Sequence, residues 1–563
     1  MSPEAIETED PRADLAFSSV PGLVAGAAAS YGDAEALVDG EIRLSFSELE
    51  AEALKVTGAA MAAGIGPGDR VGIWAPNMAE WVLAALGLLG AGAVLVPLNT
   101  RFKGPEAAYV LRRSGAKALF TVRGFLGIDY PALLEEEDIP DLERIVLLRH
   151  TEEGTLSEPT RTNEVPIFGW QEFLAGAEGV VEGEGAQVGH RTEMSEVMAA
   201  WRAVKPGDLS DIIFTSGTTG RPKGAMTTHG QTLRTFAVWA NVVGLTEGDR
   251  YLIVNPFFHT FGYKAGIIAC LLTGATIVPE PVFDVDRVLG SVAAEKITML
   301  PGPPTLYQSI LDHPRRENYD LSSLRLAVTG AAAVPVELVL RMRSELTFGT
   351  VLTAYGLTES TGVVTMCRRG DPPDVISHTS GRAIPGIEVR IVDPTGTEVP
   401  TGEPGEIVVR GYTVVSGYFE DPEATAEAID SDGWLHTGDI GVMDEAGNVD
   451  ITDRLKDMFI VGGFNAYPAE IEGALLRHPS VSQVAVVGVP DPRLGEVGCA
   501  FVVPRPGIDP TGLPDELSDW AKKEMANYKV PRSVVVVDVL PLNASGKVLK
   551  TELRARAAES GPG

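Results

Sequence analysis

From about residue 35 to 360, short β-branched or apolar runs alternate with longer helical patterns: RVGIWAP, AVLVPL, KALFTV, DIIFTS, RYLIVNP, ATIVP, ITMLPG, RLAVTG and VLTAYG. Strands separated by helices read as parallel sheets covered by those helices, an α/β architecture. Ligands in such sheets sit where loops leave the carboxyl ends of the strands. Several of these runs end in Gly, Pro, Ser or Thr clusters, so chemistry is sought there. The longest apolar stretch, Trp81 to Val96, is shorter than the roughly 20 residues that span a bilayer, and Pro97 ends it. It follows one strand-like run and enters another, so it reads as the helix of a buried βαβ unit.

A chain of 563 residues predicts about three to four compact units. Its 46 Lys and Arg stand against 77 Asp and Glu, a net charge of −31, and a field of that sign repels polyanions. Nucleic-acid binding and attachment to an acidic membrane surface are therefore disfavoured. An anionic ligand would have to be held locally, by Gly-rich loops, helix ends and a few cations. Cys270, Cys367 and Cys499 lie far apart in apolar runs without CxxC spacing or a nearby His, which reads as buried thiols in a reducing compartment. The acidic start, MSPEAIETEDPRADL, lacks the basic and apolar regions of an export signal. A cytoplasmic protein without integral membrane segments is expected, with a homodimer as one expected assembly.

The rhythm breaks between about 151 and 200, an acidic, Gly-rich surface excursion with one helix-like run, FGWQEFLAGA. From Gly386 to Gly411, alternating strands separated by Asp-Pro-Thr-Gly and Glu-Pro-Gly turns suggest a small antiparallel or barrel-like subdomain, over about 365–455. After Arg454 the pattern resets to a compact α+β unit, so the expected domains are 1–455 and 456–563. The final ARAAESGPG reads as a tail.

The most informative segment is DIIFTSGTTGRPKGAM, residues 211–226. A buried strand runs into a loop of Thr215, Ser216, Gly217, Thr218 and Thr219, with Lys223 behind it. Small residues let backbone N–H groups approach phosphate oxygens, hydroxyls donate to them, and lysine supplies a point charge. The spacing differs from that of a Walker A loop.

This segment resembles the signature loop of the adenylate-forming superfamily, which includes acyl-CoA synthetases, luciferases and peptide-synthetase adenylation domains. Further motifs follow in that family's order: FFHTFG at 257–262, TGAAAV at 329–334, YGLTES at 355–360, HTGD at 436–439, DRLKD at 453–457 and NASGK at 543–547. The resemblance implies a large domain of two parallel-rich sheets with a β-barrel-like subdomain, and a small mobile α+β domain hinged near Lys456. It implies that Tyr355 and Gly356 meet the adenine of ATP, with Gly330, Ala331 and Ala332 closing over the base. Thr358 then serves the α-phosphate, and Glu359 with Thr218 holds Mg²⁺. Asp439 and Arg454 face the ribose. Lys547 is the lysine that stabilises charge as a carboxylate attacks the α-phosphate. Gly462 and Gly463 would flank the pantetheine arm of CoA, and His259 would gate the acyl pocket rather than act as a general base.

The same resemblance places the acyl pocket at Thr260, Phe261, Gly262, Lys264, Gly302, Pro303, Gly330, Ala331 and Val363. Lys264 is unusual there and is expected to hydrogen-bond a ketone or carboxylate of a polar ring substrate. NPFFHTFGYKAGI, TGAAAV and YGLTESTGVVT are more specifically similar to actinobacterial synthetases that activate the propanoate side chain of the hexahydroindanedione left from steroid rings C and D. The departure from that group is the long 151–200 stretch. The expected reaction is carboxylic acid + ATP + CoA to acyl-CoA + AMP + pyrophosphate through an acyl-adenylate. The alternatives are a ligase for medium-chain, cyclic or aromatic acids, and an adenylation enzyme that loads a carrier protein.

Overall fold

The computed structural model describes residues 17–149, 161–162, 165–176, 192–215, 222–330, 334–454, 457, 459–461, 464–466, 468–491, 494–525, 527–542 and 548–560. An eight-stranded sheet is built in the spatial order Lys223–Thr228, Leu209–Thr215, Val94–Pro97, Arg70–Trp74, Ala116–Thr121, Arg144–Leu147, Val165–Gly169, Arg161–Thr162. Its six inner strands are parallel and its two outer ones antiparallel. The helix Ala79–Gly90 connects the adjacent parallel strands Arg70–Trp74 and Val94–Pro97, and all its residues are buried. The apolar stretch from Trp81 is thus a core helix, as its length required. No helix among the described residues is long and apolar enough to cross a membrane.

A second sheet runs Ile42–Ser45, Glu35–Asp39, Thr276–Pro279, Arg250–Ile253. Single bridges through Met299 continue it to Leu326–Thr329, Thr350–Tyr355, Thr365–Met366 and Arg382–Ala383. One continuous apolar core takes residues from both sheets and from the helices around them. Four antiparallel strands follow, Ile387–Val392, Gly405–Gly411, Leu435–Met443 and Val449–Arg454, around a smaller core of Val364, Ile391, Ile407, Val409, Leu435 and Val449. Beyond them, Val481–Asp491 and Gly495–Pro504 pair along their length, Ser533–Val536 joins in parallel, and helix Leu513–Glu524 buries Leu513, Leu517 and Ala521 at four-residue intervals against a separate core.

Two local expectations are corrected. The described part of 151–200 is no loose excursion: Val165–Gly169 pairs in parallel with Arg144–Leu147, and Phe173 packs edge-on to Phe120 at 5.2 Å. Helix Met194–Ala203 buries Val197 and Trp201, whose indole N–H donates to Thr57 Oγ1 at 2.8 Å. Nor is the C-terminus simply a tail. Residues 555–560 of it complete the helix Lys550–Ser560, and Ala557 packs against the core that includes Leu540 and Leu553. The three cysteines are buried free thiols.

Candidate active site

The strand Leu209–Thr215 and its partner Lys223–Thr228 form a hairpin with Thr215 opposite Lys223. Ser216, Gly217, Thr218 and Thr219 lie outside the described residues. At the hairpin mouth the Thr215 hydroxyl donates to Glu359 Oε1 at 3.1 Å, and the Tyr418 hydroxyl donates to the same oxygen at 2.9 Å. The Lys223 ammonium lies 5.3 Å from the centre of the Tyr418 ring, within cation–π range. Burial and the Glu359 carboxylate push the Tyr418 phenol well above its ordinary pKa, so it stays protonated and remains a donor. Among the described residues no cluster of three or more His, Cys, Asp or Glu could hold a metal ion.

Glu359 sits on a short 3-10 turn, Thr358–Ser360, which ends at Thr361 in the left-handed conformation, φ 56°. The turn is tight enough that a Cβ on Gly356 would lie 2.2 Å from the Gly362 carbonyl oxygen, so position 356 admits only glycine. Thr358 is buried. One face away, the Tyr355 hydroxyl donates to Asp439 Oδ2 at 2.6 Å, joining the proposed base-stacking ring to the proposed ribose acceptor. Asp439 is itself positioned from the antiparallel sheet: Glu406 accepts from the Gly438 N–H at 3.0 Å and pairs with His436 Nδ1 at 2.9 Å. Arg454 is the strand partner of Asp439. Gly330 ends the strand beside them, and a Cβ there would approach the Ala354 carbonyl oxygen to 2.9 Å. Ala331, Ala332, Lys456, Gly462, Gly463 and Lys547 lie outside the described residues.

His259 caps the short turn Thr260–Gly262, its Nδ1 accepting from the Phe261 N–H at 3.3 Å. Burial lowers its pKa, which favours a neutral ring. Thr260 is buried and packs on Gly362, whose Cβ would lie 3.0 Å from it. The acyl-side turn and the Glu359 turn are therefore in contact. Gly262 has no room for a side chain, since a Cβ would meet the Pro256 carbonyl oxygen at 2.1 Å, and Phe261 packs edge-on to Trp239 at 6.4 Å. Gly302 is held by a bond from its N–H to the Val328 carbonyl at 3.1 Å, and Val363 is 3% exposed within the core.

Lys264 is placed differently from the expectation. Its ammonium is 2.8 Å from Asp211 Oδ1, and both side chains are 0% exposed. A lysine in a buried ion pair has its charge already answered, so the expected hydrogen bond to a substrate ketone or carboxylate is not what this geometry supports.

An AMP-binding enzyme model matches residues 24–419, and the AMP-binding enzyme C-terminal domain model matches 470–547. The chain belongs to the AMP-binding enzyme family. Two relatives of this AMP-binding enzyme bear the name 7a-methyl-1,5-dioxo-octahydro-inden-4-yl propanoyl:CoA ligase. The one from Rhodococcus jostii is 50% identical over 95% of this chain and 98% of its own length. The one from Mycobacterium tuberculosis is 50% identical over 93% of this chain and 96% of its own length. Among solved structures, an anthranilate CoA ligase in complex with anthranoyl-AMP matches with a TM-score of 0.83 at 29% identity, covering 98% of this chain and 99% of that one.

Tyr418, Glu406 and Asp211 of this AMP-binding enzyme escaped the sequence reading. Tyr418 and Glu406 carry no local signal, because each acts across a fold contact. Asp211 did carry one when taken with Lys264: each is a lone charge in an apolar run, DIIF and KAGIIACLL. Opposite charges in buried elements call for each other.

Proposed function

We propose that this chain is an ATP-dependent acyl-CoA synthetase acting on a bicyclic, steroid-derived propanoate. The observation that carries the reading is the hydrogen-bonded pairing of Thr215 with Glu359 and of Tyr355 with Asp439, which draws three separated motifs to one place. The near full-length similarity to two ligases named for a methyl-dioxo-octahydroindenyl propanoyl group supports the substrate.

In the first half-reaction an oxygen of the substrate carboxylate attacks the ATP α-phosphorus, and the bond to pyrophosphate breaks. Thr215 and Lys223 bind phosphate oxygens at the hairpin mouth, Tyr355 stacks on adenine, and Asp439 accepts from the ribose hydroxyls. Among the described residues both hydroxyl donors to Glu359 use Oε1 rather than Oε2; the donor set fits Mg²⁺, a hard cation held by one carboxylate together with phosphate oxygens. Mg²⁺ bound there, with Thr218 as a second oxygen ligand, would neutralise phosphate charge as the carboxylate approaches. Lys547 stabilises the same developing charge. In the second half-reaction the CoA thiol, losing its proton, attacks the acyl carbonyl and AMP leaves. The 456–563 domain turns about Lys456 between the two, exchanging Lys547 for the Gly462–Gly463 loop, while neutral His259 gates the acyl side.

The test is to incubate the protein with Mg-ATP, CoA and a mixture of ring propanoates, medium-chain fatty acids and aromatic acids, and to identify every thioester by mass. A dominant ring-propanoyl-CoA is expected. A spread of fatty acyl-CoAs would remove the steroid assignment, and acyl-adenylate without thioester would indicate a carrier protein as acceptor. Lys547→Ala is expected to lose adenylation but still convert supplied acyl-adenylate and CoA to thioester; equal loss of both would refute the division of labour.

A further inference from the structure

The Asp211–Lys264 pair joins two elements that the proposed reaction requires to be in register. Asp211 lies on the strand Leu209–Thr215, four residues before the hydroxyl that holds Glu359. Lys264 lies on Tyr263–Ile268, the π-helical turn that directly follows the His259–Gly262 segment. It is the single π-helical element among the described residues, and such turns recur at functional sites. The segment is gripped elsewhere as well. Asn77 donates to the Ile253 and Asn255 carbonyls, each at 2.9 Å, and accepts from the Phe257 N–H at 2.7 Å. Trp81 packs on Phe257 and Tyr263 at 5.1 and 5.6 Å.

Burial pushes the Lys264 ammonium below its ordinary pKa while Asp211 draws it up, and Ser210 donates to the other Asp211 oxygen at 2.7 Å. The neighbouring His229 is held down to about 4 by burial, with Lys264 contributing. Apolar side chains would fill this space at no greater cost, since exchanging a buried ion pair for hydrophobic residues is often neutral or stabilising. Stability alone therefore does not account for the charges. What an ion pair adds is a fixed distance between two backbones, here through a 2.8 Å contact.

We infer that Lys264 and Asp211 are a positioning pair that fixes the acyl-side turn 259–262 against the phosphate-binding hairpin, and so sets the distance between substrate carboxylate and α-phosphate. This rests on the function proposed above. A displacement of about 1 Å between reacting groups costs up to about 100-fold in rate.

The decisive variant is the apolar pair Lys264→Met with Asp211→Val, which removes both charges and leaves Ser210 its second acceptor, the Thr227 carbonyl at 3.1 Å. The expected result is a melting temperature near that of the parent, a KM for ATP unchanged within about twofold, and adenylation kcat with the acid reduced about 10- to 100-fold. Parent-like kcat and KM in this stable variant would overturn the inference. Should the double variant not fold, Lys264→Met with Asp211→Asn, which also removes both charges and keeps an oxygen to accept from Ser210, is scored the same way. Amide hydrogen exchange over 257–268 is read in parallel and should rise in either variant; exchange unchanged from the parent would also overturn the inference. Because exchange needs no substrate, a parent that adenylates none of the acids would defeat the proposed function while still deciding the pair.

Discussion

Two hydroxyls meet one carboxylate oxygen at Glu359, and they differ in what they can do. Thr215 is the last described residue of its strand and donates from the hairpin mouth. Tyr418 is fixed, because its backbone bridges Ala225 and its own N–H donates to Thr425 at 2.9 Å. Gly417 precedes it at φ 124°, and a Cβ there would stand only 2.6 Å from Thr425, so no other residue fits. Tyr418→Phe removes one hydrogen bond to a charged acceptor, worth about 1.5–3 kcal/mol. The expected outcome is about a tenfold loss in adenylation kcat/KM, weaker binding of Mg-ATP by calorimetry, and unchanged conversion of supplied acyl-adenylate to thioester. Parent-like Mg-ATP affinity would show that Glu359 is oriented without Tyr418. That Glu359, Tyr355 and Asp439 belong near one another was legible in the sequence because each sits in a short motif, and the hydrogen bonds of Thr215 with Glu359 and of Tyr355 with Asp439 bring those motifs together. Tyr418 and Glu406 were not, because their roles exist only after strands distant in the chain are brought side by side.

At the scale of elements, parallel strands and their helices were legible from alternating apolar runs, since burial on both faces leaves a continuous hydrophobic signature. The described part of 151–200 was misread as a surface excursion, though its helix-like run FGWQEFLAGA does hold the helix Trp170–Ala175, because acidic, Gly-rich composition dominates the region. Trp201 is the anchor. Its indole reaches Thr57, and Gly90 at the end of the buried helix gives it passage: a Cβ there would lie 2.0 Å from Trp201 Nε1 and 2.4 Å from Thr57 Oγ1. Gly90→Ala would therefore have to displace both buried side chains and break the bond between them. It is expected to cost about 1–3 kcal/mol, the usual penalty for overpacking a core, measured as a shift in the urea midpoint with unchanged slope. Undiminished stability would mean that helix Met194–Ala203 yields easily, contrary to the burial of Val197 and Trp201.

At the scale of the whole molecule, a net charge of −31 works against ligands that are themselves polyanions. Two electrostatic ranges compete. The field of the whole surface repels ATP and CoA over the Debye length, which shrinks from about 30 Å at 0.01 M salt to about 10 Å at 0.1 M. The contacts proposed for Thr215 and Lys223 would act within hydrogen-bond distance, where added salt screens them less. Raising salt across that range at saturating Mg-ATP should thus lower the KM for CoA about two- to fivefold, by weakening the repulsion that slows encounter. The kcat should hold steady, since the contacts proposed to set it are sheltered from bulk ions, the Lys264–Asp211 pair fully buried and the Tyr355–Asp439 bond partly so. A KM that rises with salt would reverse the conclusion: a basic entrance would then outweigh the acidic body, and the net charge would describe the surface away from the site rather than the path into it.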